Sequence, residues 1–146
     1  MSGAAESRLY TPEILALAVA LADYPLDSDA VHAGEARSPT CGSTLELNLA
    51  LDADARIDRL GMRVSACAIG QAAAALFARG AQGQTHESIA SARSQIKAWL
   101  SGDNARPDWP GLAILEPARA YPGRHGAILL PWTAALAALS NSQQPS

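Results

Sequence analysis

This 146-residue chain has a small net charge and no long apolar run. Eleven basic and fourteen acidic side chains leave a net charge of −3, so the basic surface expected of a nucleic-acid-binding protein is missing. The longest apolar run, residues 14–22, is nine residues long and too short to cross a bilayer. These absences predict a protein that binds neither nucleic acid nor membranes.

Cysteine is scarce as well, with two residues in the chain. The N-terminal segment MSGAAESRLY has neither the basic start nor the cleavage signature of a secretory signal, so two cysteines do not predict a disulfide framework. We therefore expect a cytoplasmic protein. A hydrophobic content of 49% indicates one domain over residues 1–146 rather than disorder, with a polar tail at 140–146 that frays.

The first half of the chain predicts a small antiparallel sheet. The segment 44–51, T-L-E-L-N-L-A-L, alternates strictly and places four leucines on one face, which is typical of a half-buried strand. Residues 52–55 suit a hairpin turn, and a second alternation through 60–64 follows it. The segment 31–38 is a third extended candidate. One apolar face requires a layer of helices to cover it.

Helix signals surround these strands. Thr11 and the proline after it predict a helix start, and the apolar run behind them predicts a helix buried on more than one side. An alanine-rich helix over 68–78 is expected to stop at Gly80, and Thr85 caps the next helix. A last apolar stretch spans 127–139. The expected fold is α+β, with two layers: a three-stranded antiparallel sheet packed against four to five helices.

Two cysteines and one histidine are the candidate functional residues. Cys41 lies in S-P-T-C-G-S just before the best strand, and Cys67 lies in S-A-C-A-I-G where a strand meets the alanine-rich helix. Because both stand at strand ends, we predict that their sulfurs approach each other at one edge of the sheet. The alternative is that both are small buried hydrophobic residues. His125 is predicted to lie on a loop before the last apolar stretch.

These motifs resemble the iron–sulfur cluster assembly scaffold family, which comprises IscU, the NifU N-terminal domain and SufU. G-Q-T-H-E-S-I followed by A-W-L-S-G is similar to the family's G-K-T-x-E-E-A helix. The segment between Leu100 and Arg124 resembles an insertion of the SufU branch, and Y-P-G-R resembles its F-P-A-R. The resemblance runs from the N-terminal helix to Trp132. The L-P-P-V-K chaperone motif has no counterpart, so no dedicated chaperone is expected.

The resemblance implies a metal site of three cysteines and one aspartate, of which half is present. The first two cysteines fall on Cys41 and Cys67, whereas the aspartate falls on Ser43 and the third cysteine on Ala127. We therefore expect an iron–sulfur cluster or zinc to be bound weakly or not at all. His125 as a third metal ligand, a cluster shared by two chains, and a partner that completes the site are open alternatives.

Two further expectations concern these degenerate positions. A proline ring clashes with the carbonyl four residues earlier, so Pro131 predicts that Ala127 lies outside regular helix and that the last helix starts near residue 131. Ser43→Asp with Ala127→Cys is expected to restore metal affinity at a stability cost within about 1 kcal/mol, because both positions are expected near a surface edge.

The resemblance implies a scaffold role without enzymatic activity. Its partners would be a cysteine desulfurase that delivers persulfide sulfur and the recipient or other assembly proteins, and self-association is left open. The alternative is a relative that keeps the fold, binds no metal and acts as a protein-interaction or regulatory module. The sequence shows no Cys–His–acid arrangement, so it does not indicate a thiol enzyme.

Overall fold

The computed structural model describes residues 9–39, 42–103 and 105–143, with side chains up to residue 140. Three antiparallel strands and four α-helices have their bounds within these described ranges. The strands are β1 His32–Arg37, β2 Thr44–Leu51 and β3 Ile57–Ser65, and the helices are α1 Pro12–Ala20, α2 Ala68–Ala81, α3 His86–Leu100 and α4 His125–Gln143. Short 3₁₀ segments cover Leu21–Asp23, Leu112–Ala120 and Pro122–Arg124. The predicted α+β fold class is confirmed.

The sheet has the order β1-β2-β3 with both pairs antiparallel. β2 has the bounds that its alternation predicts, and its leucines Leu45, Leu47 and Leu49 are fully buried. The turn at 52–55 is also confirmed, because the Asp52 carboxylate accepts hydrogen bonds from the backbone N–H groups of Asp54 and Arg56. The core lies between this leucine face and the helices.

α1 begins as predicted, but its burial does not follow the prediction. The Thr11 hydroxyl accepts a hydrogen bond from the Ile14 N–H at 3.2 Å, which caps the helix. Ile14 is buried, whereas Leu15 is 47% and Val19 76% exposed. The helix therefore buries a single side, against α2, and the expectation that it is covered on more than one side is wrong.

Gly80 does not end the alanine-rich helix, which continues to Ala81. A Cβ at Gly80 would lie 2.7 Å from ring atoms of Trp109, so this glycine makes room for an indole. The Trp109 N–H donates to the Leu76 carbonyl at 3.0 Å, which ties the 101–111 loop to α2. The left-handed backbone that follows the helix occurs at Gly83, with φ +84°.

α4 starts at His125 and runs through Pro131 to Gln143. The expectations that the helix starts near Pro131 and that Ala127 lies outside it are therefore wrong. A proline inside a helix removes one backbone hydrogen bond, and here residues 127–132 are all buried, so packing on several sides offsets that loss. The helix also extends beyond residue 140, which shortens the expected frayed tail, and residues 144–146 lie outside the described part of the chain.

Aromatic packing joins α2, α4 and the segment between α3 and α4. Phe77 stacks on Trp109 with 5.4 Å between ring centroids, and Trp132 meets both rings edge-on at 5.3 and 5.1 Å. The 3₁₀ segment Leu112–Ala120, which the sequence did not predict, adds buried apolar side chains to the same core. Within the described ranges, we find no helix with the length and apolar character of a membrane span.

Candidate functional site

The predicted site lies at the end of the sheet where β2 begins and β3 ends. The register pairs Thr44 with Ser65, so the chain before residue 44 and the chain after residue 65 leave the sheet side by side. The loop into β2 is closed by the Ser38 N–H, which donates to the Ser43 carbonyl at 2.8 Å. Cys41 lies outside the described residues, and its approach to Cys67 stays a prediction.

Cys67 is the N-cap residue of α2. Its backbone is extended, with φ −66° and ψ 172°, and its side chain makes no capping hydrogen bond. The Gln71 side chain donates to the Ala66 carbonyl at 2.9 Å, and the Gln71 N–H donates to the Cys67 carbonyl at 2.9 Å. The two Gln71 hydrogen bonds therefore fix the turn that carries the Cys67 thiol. This thiol is half-buried and lies at the positive end of a 14-residue helix.

The two positions at which the resemblance implies a lost metal ligand are both buried. Ser43 is 6% exposed and Ala127 0% exposed, so the expectation that they lie near a surface edge is wrong. A Cβ built on Gly70 would stand 3.3 Å from the Ala127 Cβ, and Gly70 lies in the first turn of α2. The structure thus brings position 127 to the helix end that begins with Cys67.

His125 stands elsewhere on α4. It is the first residue of that helix rather than part of a loop, and its Nε2 contacts the Arg119 carbonyl at 3.1 Å. Successive residues of an α-helix are about 100° apart, so the side chains of His125 and Ala127 leave α4 about 200° apart. His125 therefore faces the 3₁₀ segment, whereas Ala127 faces α2, and its role as a metal ligand stays a prediction.

No group of three His, Cys, Asp or Glu side chains suited to a metal ion occurs among the residues that the structure describes. Of the two cysteines that the sequence singles out, the described residues include Cys67. Gly70, Gln71 and Arg119 were missed at the sequence level. A glycine three residues after a cysteine that starts a helix is the signal that would have indicated Gly70.

The shifted ionisable groups lie at a different place, where β3 meets the segment after α1. A hydrogen bond from Arg59 holds the pKa of the Asp27 carboxyl below its ordinary value, and the same contact raises the pKa of Arg59. This pair joins the segment after α1 to β3. It takes no part in the candidate site.

Comparison with solved structures shows which proteins share this fold. No family model matches the chain, and neither does any curated protein. A crystal structure of a nitrogen-fixing NifU-like protein (N-terminal) from Brucella abortus is similar over 96% of this chain and 99% of its own, with a TM-score of 0.85 and 24% identity. A putative SUF-system iron–sulfur cluster assembly scaffold protein from the thermophile Fervidobacterium islandicum covers 86% of this chain and 93% of its own, with a TM-score of 0.75 and 20% identity. The expected scaffold fold is confirmed.

Proposed function

We propose that this chain is a scaffold-like protein of iron–sulfur cluster assembly, which takes up sulfur or iron through Cys41 and Cys67 at an incomplete metal site. Its partners are a cysteine desulfurase and the proteins that receive its cargo. It works in the cytoplasm and is not itself an enzyme. The two structural neighbours, which are named as a NifU-like protein and a putative scaffold, support this role through the shared fold.

The observation that carries the proposal is the juxtaposition of Ala127 with the first turn of α2. Motif alignment assigns positions 67 and 127 to two ligands of one site, although 60 residues separate them in the chain. The close approach of Ala127 to the Cβ position of Gly70 brings these two positions to the same helix end. This agreement supports the alignment and, with it, the origin of the site.

Sulfur uptake requires only one thiol. The Cys67 thiolate attacks the terminal sulfur of the persulfide on a donor cysteine, so a new S–S bond forms at Cys67. The S–S bond of the donor breaks, and its electron pair stays on the donor cysteine as a thiolate. Sulfur is transferred without net oxidation or reduction, and an incomplete ligand set does not prevent the step.

A relative that binds no metal is the second candidate, and packing at position 127 favours it. The Ala127 methyl is fully buried, so the place of the third family cysteine is closed to solvent. Such a protein would keep the docking surfaces of the fold and regulate its partners by occupying them.

Anaerobic reconstitution with iron and sulfide separates the two candidates. We expect the wild type to develop weak visible absorbance with less than one cluster per chain, and Cys41→Ser or Cys67→Ser to abolish it. His86→Ala is the matched control, because this histidine contacts Ser140 on α4 and begins α3, a different helix from the one that Cys67 caps. Absorbance that survives both serine substitutions would contradict the proposal, and so would a wild type that neither forms a cluster nor accepts sulfur from a persulfide-loaded desulfurase.

A repaired site gives the complementary test. Ser43→Asp with Ala127→Cys should raise cobalt and zinc affinity well above that of the wild type. Because Ala127 is fully buried, the added sulfur should cost about 1–3 kcal/mol of stability, measured by urea unfolding. Ser43→Asn with Ala127→Ser is the control of similar size. Equal metal affinity in the two double variants would mean that these positions never belonged to a metal site.

A further inference from the structure

The outer edge of β1 carries two charged side chains that no described residue pairs with. β1 is the edge strand of the sheet, with β2 on one side. Glu35 and Arg37 are both exposed, and neither takes part in any of the ion pairs or side-chain hydrogen bonds of the described chain. We propose that this edge is the interface through which two copies of the chain associate, independently of any metal.

The backbone of β1 is oriented for such pairing. The Ser38 N–H donates to the Ser43 carbonyl, so the polar groups of Ser38 point towards β2. Along an antiparallel strand, successive residues direct their N–H and C=O groups to opposite sides. The polar groups of Gly34 and Ala36 therefore also point towards β2, whereas those of Glu35 and Arg37 point to the free edge.

Glu35 faces a like charge on the neighbouring strand, and no described cation pairs with it. Glu35 stands directly opposite Glu46 on β2, and like charges at opposed positions destabilise a sheet. Glu46 is paired with Arg63 on its other side, at 3.2 Å. An arginine on a strand added outside β1 would neutralise Glu35 as Arg63 neutralises Glu46.

A second copy supplies that arginine in one register. An antiparallel pair of β1 strands with its twofold axis at Ala36 places Glu35 of each chain opposite Arg37 of the other. The same two residues then exchange their outward-facing backbone hydrogen bonds. Shifting the register by two residues in either direction puts Glu35 opposite Glu35 or Arg37 opposite Arg37. Charge therefore selects the self-complementary arrangement that a twofold dimer requires.

The interface is short, so the dimer should be weak and dependent on salt. Pairing over residues 34–38 is smaller than a standard stable interface, and exposed charges are screened at high ionic strength. Sedimentation velocity from about 10 µM to about 1 mM chain should show a reversible monomer–dimer equilibrium in low salt. Dimerisation should weaken on addition of about 0.5 M salt.

Charge exchange tests the register itself. Glu35→Arg and Arg37→Glu each place like charges opposite each other, so each variant alone should dimerise at least about tenfold more weakly. An equimolar mixture of the two should recover association, because each strand then meets its complement. The double variant Glu35→Arg/Arg37→Glu should dimerise like the wild type. Arg79→Glu is the control and should leave dimerisation unchanged, because Arg79 is exposed on α2 and makes no hydrogen bond or ion pair with the described residues.

Three outcomes would overturn the proposal. A wild type that stays monomeric up to about 1 mM would remove the dimer altogether. A dimer that tolerates both single substitutions uses another face of the molecule. A mixture of the two single variants that associates no better than either alone would show that Glu35 and Arg37 do not meet across the interface. Circular dichroism of every variant confirms that the fold is kept.

Discussion

At the scale of single residues, Asp27 holds the segment after α1 on the sheet. Its carboxylate accepts hydrogen bonds from the Arg59 side chain at 2.6 Å and from the Asp29 N–H at 2.9 Å. Its backbone carbonyl and N–H both bond the Asn48 amide, at 2.7 and 3.1 Å. Side chain and backbone thus fasten one residue to two strands.

The carboxylate of Asp27 should make stability depend on pH. Its pKa in the folded chain lies below the ordinary value of 3.8, chiefly because of the hydrogen bond from Arg59. A depressed pKa contributes stability that is present above the unfolded value and is lost as pH falls through the folded value. The stability difference between wild type and Asp27→Asn should therefore be constant from pH 8 to about 5 and shrink below about pH 4.

Urea unfolding at pH 7, 5, 4 and 3 measures this difference. Asp108→Asn is the matched control, since Asp108 is exposed and makes no hydrogen bond or ion pair with the described residues. A difference between wild type and Asp27→Asn that stays unchanged down to pH 3 would show that the carboxylate contributes nothing as a charged group.

At the scale of elements, the contact between β1 and α4 depends on one glycine. A Cβ at Gly34 would collide with the Ala134 carbonyl oxygen and the Ala138 nitrogen, both backbone atoms of α4. Helix backbone cannot move aside as a flexible side chain does. The helix therefore lies closer to this strand than any side chain at position 34 would allow.

Gly34→Ala should destabilise the protein by about 3 kcal/mol or more, because the strand and the helix must separate to accept a methyl group. Gly123→Ala is the control, since open space surrounds a Cβ at that position, and it should change stability by less than about 0.5 kcal/mol. Urea unfolding of both variants decides the comparison. A Gly34→Ala protein as stable as the control would mean that α4 slides readily on the sheet.

The same scale shows how far the sequence predicts this fold. Strict alternation predicted the bounds of β2, because a strand buried on one face alternates apolar and polar residues along the sequence. The apolar run of α1 misled, since an apolar residue is not obliged to be buried and Val19 is not. Pro131 misled in the opposite sense, because a local rule on proline was outweighed by packing that involves residues distant in sequence.

The candidate site was predictable only in part for a related reason. Cys67 could be placed at a helix start because the cap and the helix lie next to each other in the chain. The contact between Gly70 and Ala127 could not be derived from any local pattern, since it depends on how α2 and α4 pack. Burial of Ser43 likewise arises from the closed loop that begins at Ser38.

At the scale of the whole molecule, the ligand count should govern metal content. Tetrahedral zinc sites in proteins normally use four ligands, or three with an open position. The resemblance implies that Ser43 and Ala127 replace two ligands, so protein purified in the presence of zinc should retain well below one zinc per chain. Elemental analysis after gel filtration measures this ratio.

One tightly held zinc per chain would contradict that expectation and show that another group has joined the two cysteines. His125→Ala would then be the first variant to compare, with His32→Ala as its control. Loss of zinc in the first variant alone would assign His125 as the added ligand.

The aromatic cluster gives the molecule an optical reporter. The chain's three tryptophans, Trp99, Trp109 and Trp132, are 1%, 7% and 0% exposed, and none of them lies on the sheet. Indole emission from the folded chain therefore comes from apolar surroundings and shifts to longer wavelength when water reaches the rings. Trp109 and Trp132 contact each other and Phe77, so this fluorescence follows the separation of α2, α4 and the segment before α4. The edge of β1 and the end of the sheet at Cys67 contain no tryptophan of their own.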